Sequence, residues 1–389
     1  LKRILPLLLV VATTARAATV GDELRAAQQL LLQSHYAEAA AVYKTILRAH
    51  PTNAEALKGL ATTEYWSGDF RAARRDFSAL LRARPGDAEA RKALREIDAA
   101  TAPVVTTDAN VTNDDQPMRR AVASASYTRF SDPLTKWTAT AGTYALAARA
   151  LGFGRATAPF ANITGSTVLP AQHVRPSASL RLFCFPDGHV QLLGGVSLAR
   201  EWPHAALTLG VDRHEILYTA TALRSHPNEI TTSLAWNRTT DAALSAAAVR
   251  DIRYFDHNRG VAAEGYHLVR VAHSETASIS TGGAFSYRDT NESRLVNGVY
   301  DPYWTPRKLT DARGILAASI GVKAASIHLH GDAGVAHDAE LARSFHPWRV
   351  SADLDLPLRG AVRATIGVER QATVFYRATT VHIGFSGRP

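Results

Sequence analysis

Val350-Ser351-Ala352-Asp353-Leu354-Asp355-Leu356 alternates between apolar and polar residues at every step. Successive side chains of a strand point to opposite faces, so this stretch has one face for an apolar medium and one for water. The same rhythm runs on in both directions. Downstream, Val362, Ala364, Ile366 and Val368 oppose Arg363, Thr365 and Glu369, and Val381, Ile383 and Phe385 oppose His382 and Ser386. Upstream, Ile327, Leu329, Ala333 and Val335 oppose His328, His330 and Asp332. Earlier still, Leu207, Leu209 and Val211 oppose Thr208 and Asp212, while Ala178, Leu180 and Leu182 oppose Ser179 and Arg181. Turn formers separate such segments at Ser131-Asp132-Pro133, Pro186-Asp187-Gly188, Asp256-His257-Asn258 and Asp289-Thr290-Asn291.

A soluble β-sandwich or propeller shares this alternation. What favours a transmembrane barrel is the length of the run, which continues to the C-terminal end without a helical period. Acids and bases also keep recurring opposite small apolar residues. The expectation is an α + β multidomain chain whose residues 118–389 form an antiparallel outer-membrane barrel of about 14–16 strands, even-numbered as bacterial barrels are. Parity places His328, His330, Asp332, Asp353, Asp355, Arg363 and Glu369 in the lumen. Tyr127, Trp137, Tyr144, Trp202, Tyr218, Trp236, Tyr254 and Tyr266 lie near segment ends, where interfacial aromatic girdles sit.

Ahead of the strands, residues 101–117 are polar and helix-poor, with Pro103, Asp108, Asn110, Asn113, Asp114 and Asp115, and read as a linker. Residues 18–100 have a different period. Ala39, Tyr43 and Pro51 recur one 34-residue repeat later as Ala73, Phe77 and Pro85, and Leu57, Leu60 and Ala61 occupy first-helix positions of the second unit. Small Ala39 and Ala73 let helices approach, Tyr43 and Phe77 fill the space beside them, and the prolines end the second helices. This resembles the tetratricopeptide repeat (TPR) family. Leu30, Leu31 and Leu32 stand where an aromatic is usual, and residues 87–98, with Ala90, Leu94 and Ile97 on one side, form a further amphipathic helix. The resemblance implies about two repeats plus a cap, offering a surface for a protein partner.

Residues 1–17 read as a secretory signal peptide: Lys2 and Arg3, an apolar run from Ile4 to Ala12, then Ala15-Arg16-Ala17 before the cleavage point. The apolar run is shorter than the ~20 residues a spanning helix needs. Cys184 is the single cysteine, which excludes an internal disulfide and paired-cysteine metal motifs. Of the formal charge of +9, three lie in the signal segment, one in residues 18–100 and five beyond; those five suit contact with anionic outer-membrane lipid such as lipopolysaccharide, and no basic stripe with interleaved aromatics points to nucleic acid. No phosphate-cradling glycine loop, Gly-x-Ser-x-Gly elbow or His-Glu-x-x-His helix occurs, so no catalytic residue, cofactor or metal is expected. His328 and His330 share a strand face but lack an identifiable third ligand.

Signal peptide, TPR units and C-terminal barrel together resemble the exopolysaccharide-export outer-membrane proteins of the cellulose-synthase operon C type and their smaller YaiO-type relatives. Asn297-Gly298-Val299-Tyr300-Asp301-Pro302-Tyr303-Trp304-Thr305-Pro306 is similar to a Tyr-Phe-x-Pro segment before a late strand of those barrels. The resemblance implies export of a polysaccharide through the barrel, TPR units in the periplasm docking a periplasmic or inner-membrane protein, and Tyr300, Tyr303 and Trp304 as a loop platform for sugar rings. Two other readings stay open at this point. One is a plugged barrel that anchors the repeats, or a carbohydrate- or protein-binding module without transport. The other is a barrel hydrolase using a lumenal Ser or His.

Overall fold

The computed structural model describes residues 19–115, 118–148, 153–217, 219, 221–296, 299–373 and 376–388. The expected signal segment 1–17 lies outside the described residues, as do Tyr218 and Asn297-Gly298. The chain divides into two compact units at Ala100/Thr101.

The described residues of the first unit form a stack of five helices, α1 (Val20–Leu32), α2 (Tyr36–Ala49), α3 (Ala54–Ser67), α4 (Phe70–Ala83) and α5 (Ala88–Thr101). Local chemistry marks their starts. Thr19 and Asp22 form a reciprocal capping box, and the Asn53 and Asp69 side chains accept from Ala56 and Ala72 amides. Gly68 takes the left-handed conformation (φ 86°) that ends α3. One core cluster joins Ala27, Ala39, Tyr43, Ile46, Ala56 and Leu60, and a second joins Ala61, Ala73, Phe77, Leu80, Ala90 and Ile97. Leu57 packs at the edge of the second cluster, and Pro51 and Pro85 lie exposed just past the ends of α2 and α4. Gly59 is the helix position that admits the Tyr43 ring: a Cβ there would sit 2.3 Å from Tyr43 Cε1. None of the described helices is long and apolar enough to cross a membrane.

The second unit is β-built. Its strands are β1 (Val104–Asp114), β2 (Met118–Asp132), β3 (Thr135–Ala148), β4 (Phe153–Thr167), β5 (Val174–Cys184), β6 (Val190–Trp202), β7 (Ala205–Glu215), β8 (Asn228–Thr239), β9 (Ala243–Tyr254), β10 (Arg259–His273) and β11 (Ala277–Thr290), followed by the small hairpin β12 (Leu295–Val296) and β13 (Val299–Tyr300). Then come β14 (Leu309–Val322), β15 (Ala325–Asp338), β16 (Arg343–Phe345), β17 (Trp348–Pro357), β18 (Arg363–Ala372) and β19 (Arg377–Gly387). Each wall strand pairs antiparallel with its sequence neighbours, the short β16 shares β15 with β17, and β1 pairs with both β2 and β19. The result is a closed antiparallel barrel of 16 strands without a free edge.

Two expectations change here. The polar segment taken as a linker contains β1, in register with β19 from Val105↔Gly387 to Asp114↔Ala378. Its pairing is supplied by the rest of the wall rather than by its own apolar pattern, and Thr112 and Thr380 exchange a hydroxyl hydrogen bond of 2.9 Å across it. The barrel region also contains a helical turn, α6 (Ala222–Ser225), between β7 and β8.

Register fixes the two faces of the wall. Outward rows carry Leu209 and Leu316, 55% and 59% exposed, with Leu192, Val196, Val249, Val350 and Val381. Inward rows carry hydroxyl pairs, such as Ser126–Thr140 at 2.8 Å and Ser177–Ser197 at 2.6 Å, together with the charged residues. Tyr127 and Trp137 meet on the outside with ring centroids 5.9 Å apart, and Trp202 and Trp236 are also outward and exposed. Tyr144, Tyr254 and Tyr266 do not belong to such a girdle. Tyr144 packs with inward Phe160 and Phe183, Tyr254 is buried against Tyr303, and Tyr266 shares the inward row of Ala246 and Ala284. The joints at the end of the barrel where β1 begins are short, as at 133–134, 203–204 and 323–324, and the larger connections 216–227, 291–308 and 339–347 are at the other end, here called distal.

Candidate functional site

Within the described barrel the lumen gathers charged side chains, and strand parity delivers them. On β14, β15 and β17 the inward residues make a compact ionic cluster. Arg313 binds the Asp311 carboxylate from Nε at 2.9 Å and reaches Asp332 from Nη1 at 2.8 Å. Asp332 also accepts from Arg349 Nε at 2.8 Å and lies 2.9 Å from His330 Nε2. Two arginines thus face two carboxylates, and Asp332 and Asp311 are buried because each is held by a fork of donors.

Nearer the β1 end, a second inward group follows one cross-strand row, Ser319↔His328↔Asp353↔Gly367↔His382. His328 joins Ser319 Oγ at 2.9 Å and Asp355 at 3.3 Å, while His382 lies 3.1 Å from Asp353. Gly367 makes the last contact possible, since a Cβ there would fall 2.1 Å from both Asp353 Oδ1 and His382 Cε1. Thr365 donates to Asp355 at 2.5 Å. Of the remaining parity candidates, Glu369 is half-buried opposite Ser351 and Thr380, and Arg363 is exposed at the first position of β18. The seven lumenal residues read from the sequence therefore fall into two groups plus these two outliers. Among the described residues no set of three or more His, Cys, Asp or Glu is arranged to hold a metal.

The distal end is occupied by two connections. Residues 291–308 place Tyr303 in a cluster with Ile216, Ile252 and Tyr254, its ring stacked on Tyr254 at 4.2 Å and its hydroxyl donating to the Asp256 carboxylate at 2.7 Å. Tyr300 donates to Asp338 and Glu340 at 3.2 Å each, and the Arg288 guanidinium lies 4.8 Å over the Trp304 ring. Burial and the neighbouring carboxylates push both tyrosine hydroxyls well above the ordinary phenol range. Tyr303 is 1% exposed and Tyr300 6%, so neither ring is presented as a sugar platform. Their phenol groups serve the loop: burying an aromatic ring near carboxylates is stabilising once each hydroxyl has an acceptor.

The other connection, 216–227, folds α6 inward so that Leu223 enters a cluster with Leu146, Ala158, Phe183, Phe185 and Leu193. Gln191 holds it through the His226 carbonyl at 2.7 Å, and His226 meets Asp187 at 2.6 Å and stacks on His189 at 4.2 Å. The two connections touch where Thr219 Oγ1 donates to Asp301 Oδ1 at 2.7 Å and approaches the Pro302 carbonyl at 3.1 Å. A bridge thus runs from the β3–β6 wall to the β9–β15 wall.

Sequence reading missed part of the lumen: Arg250, Glu264, Asp311, Arg313 and Arg349, and the inward Tyr266. They border a cavity of about 440 Å³ on the inner wall. The signal was available, since Val249 and Val261 fix outward parity on β9 and β10, and Arg250 and Glu264 then fall inward.

Comparison with known proteins agrees with both units. Residues 30–97 match the tetratricopeptide repeat family model. Among curated proteins none matches this sequence. A solved structure described as a bacterial polysaccharide outer membrane secretin is similar in fold, with a TM-score of 0.56 and 11% identity, over 75% of this chain and 99% of that one. OccAB4 of Acinetobacter baumannii, at 7% identity and TM-score 0.39, covers 73% of this chain and 97% of its own. OccK1 (OpdK) of Pseudomonas aeruginosa, at 7% and 0.41, covers 74% and 98%. Both Occ structures are too distant in shape to carry weight for this chain.

Proposed function

We propose that this chain is an outer-membrane barrel of a Gram-negative bacterium through which an exopolysaccharide leaves the cell, with its TPR units in the periplasm docking a protein partner of the export machinery. The observation that carries this reading is the two-faced closed wall. Its outside carries a broad set of exposed apolar side chains suited to hydrocarbon, and its inside is lined with hydroxyls, carboxylates and guanidinium groups that suit a hydrated polyhydroxylated chain. Short joints at the end where the chain enters from the repeats, and long connections at the other, match the periplasmic and outer ends of such barrels. The fold-level likeness to a polysaccharide secretin supports the same reading. TPR stacks present surfaces to other proteins, and the match over 30–97 supports a docking role.

The test is expression with outer-membrane fractionation, heat-modifiable gel migration and planar-bilayer conductance. A heat-shifted outer-membrane protein with ion conductance reduced by added glycan is expected, and a soluble periplasmic protein without a heat shift would overturn the proposal. A second reading, a plugged anchor for the repeats, draws on the Thr219–Asp301 bridge across the distal end. Absence of conductance from the folded barrel, relieved when that bridge is cut, selects it.

A further inference from the structure

The inner wall of β8–β14 carries a concavity that the ionic cluster alone does not explain. Cross-strand register lines up one inward row, Asn237↔Ala246↔Tyr266↔Ala284↔Arg313. One step toward the distal end, the next row is Ala248↔Glu264↔Ser286↔Asp311. Tyr266 is flanked on both neighbouring strands by alanine, and 38% of its surface is open although it projects into the barrel. With strands roughly 4.8 Å apart, the nearest polar side chains of its own row, Asn237 and Arg313, stand two strands away on either side. An aromatic ring with about one sugar ring's width free on each side, and amide and guanidinium donors beyond, is the arrangement that receives a pyranose. The apolar face of the sugar covers the aromatic, and its hydroxyls meet the donors and acceptors at the edge.

The charges of the cavity say which pyranose. Arg250 meets Glu264 at 2.5 Å, and Arg313 and Arg349 meet Asp311 and Asp332. The three guanidinium groups are matched by three carboxylates, each already hydrogen-bonded, so the lining offers polar partners with no surplus charge. A polyanion would find its carboxylates competing with Glu264, Asp311 and Asp332 for the same arginines, whereas neutral hydroxyls can share them. We propose that Tyr266 and this cavity form a lumenal subsite for an uncharged pyranose unit of a polysaccharide, the ring stacking on Tyr266 while Asn237, Ser286 and the Arg313 cluster hold its hydroxyls. The inference rests on the export reading for the source of the sugar, but the site is testable without transport.

Full-length protein in detergent is titrated with cellohexaose, a neutral β-linked glucan, and with an oligogalacturonate of similar length, and binding is read by saturation-transfer NMR. Cellohexaose is expected to bind, Tyr266→Phe to retain binding, and Tyr266→Ala to lose roughly tenfold in affinity, the scale of one aromatic stacking contact. Ala284→Leu leaves Tyr266 in place and covers its flank, so it must weaken binding as well, and it decides the matter if Tyr266→Ala fails its heat-modifiability control. Unchanged binding in Ala284→Leu or in a folded Tyr266→Ala, no binding to the wild type, or a preference for the galacturonate would overturn the subsite. Conductance of the same preparations separates the two ideas. A conducting barrel without Tyr266-dependent binding removes the subsite and keeps the conduit, and a non-conducting barrel that binds through Tyr266 does the reverse.

Discussion

Replacing Glu64 by Gln should make the helical unit more stable at pH 8 and leave it nearly unchanged at pH 4. Glu64 on α3 is 4% exposed, with Asp76 of α4 beside it and Lys44 of α2 3.9 Å away. Burial, then the Asp76 carboxylate, raise the Glu64 carboxyl from its ordinary value to about 7. A folded-state value above the unfolded one means that folding takes up a proton. The stabilisation is complete below the unfolded value near 4.5 and is lost as pH rises through about 7. The interval corresponds to about 3.5 kcal/mol at most, since one pH unit is worth about 1.4 kcal/mol, and Lys44 and local relaxation reduce what is realised. Glutamine keeps the shape and cannot ionise. In the full-length protein, amide hydrogen exchange over α3 and α4 should therefore slow by about one order of magnitude or more in Glu64→Gln relative to wild type at pH 8, after correction for intrinsic rates, and should match at pH 4. Equal pH dependence in the two proteins, or faster exchange in the variant at pH 8, would refute the reasoning.

Other substitutions probe the remaining structure. Gly59→Ala puts a methyl group 2.3 Å from the Tyr43 ring and should cost the helical unit roughly 1–3 kcal/mol, visible as faster limited proteolysis between α2 and α4. Leu209→Arg sets a charge on the outward face and should cost about 2–4 kcal/mol if that row lies at mid-bilayer, lowering the heat-modifiable fraction, while inward Ser233→Arg should leave that fraction unchanged. Thr219→Val removes the hydroxyl that ties the two distal connections and should raise conductance without altering folding; unchanged conductance would mean the bridge does not obstruct the lumen.

Much of the architecture is legible in the sequence because strand parity and a 34-residue repeat are local codes. The alternation at 350–356 is that of β17 itself, and Ala39, Tyr43, Ala73 and Phe77 are all buried in the helical cores. What escaped depends on partners far away in the chain. Thr106, Asp108, Asn110 and Thr112 face the lumen while the outward row, Val105, Thr107, Ala109 and Val111, carries only two large apolar residues, so the contrast of β1 is weaker than that of its siblings, and β19 and β2 make it a strand. Tyr300 and Tyr303 look like an exposed aromatic loop until Asp338, Asp256 and Tyr254 arrive from strands and turns well upstream and downstream to cover them. Tyr266 reads as a rim aromatic because nothing near it in sequence announces that its neighbours in space are alanines.

The pairing of β1 with β19 sets a condition on biogenesis. Along the rest of the wall each strand pairs with its neighbour in sequence, across a turn or, at most, a connection the length of 291–308, but Val105 must meet Gly387 after the whole sheet has been laid down. Until then the nascent wall is a curled ribbon with two raw margins, and bringing those margins together joins the most distant residues of the unit. The last strand is therefore the keystone, and a chain truncated before Arg377 would reach the membrane with both margins bare in a solvent that offers them no hydrogen bonds.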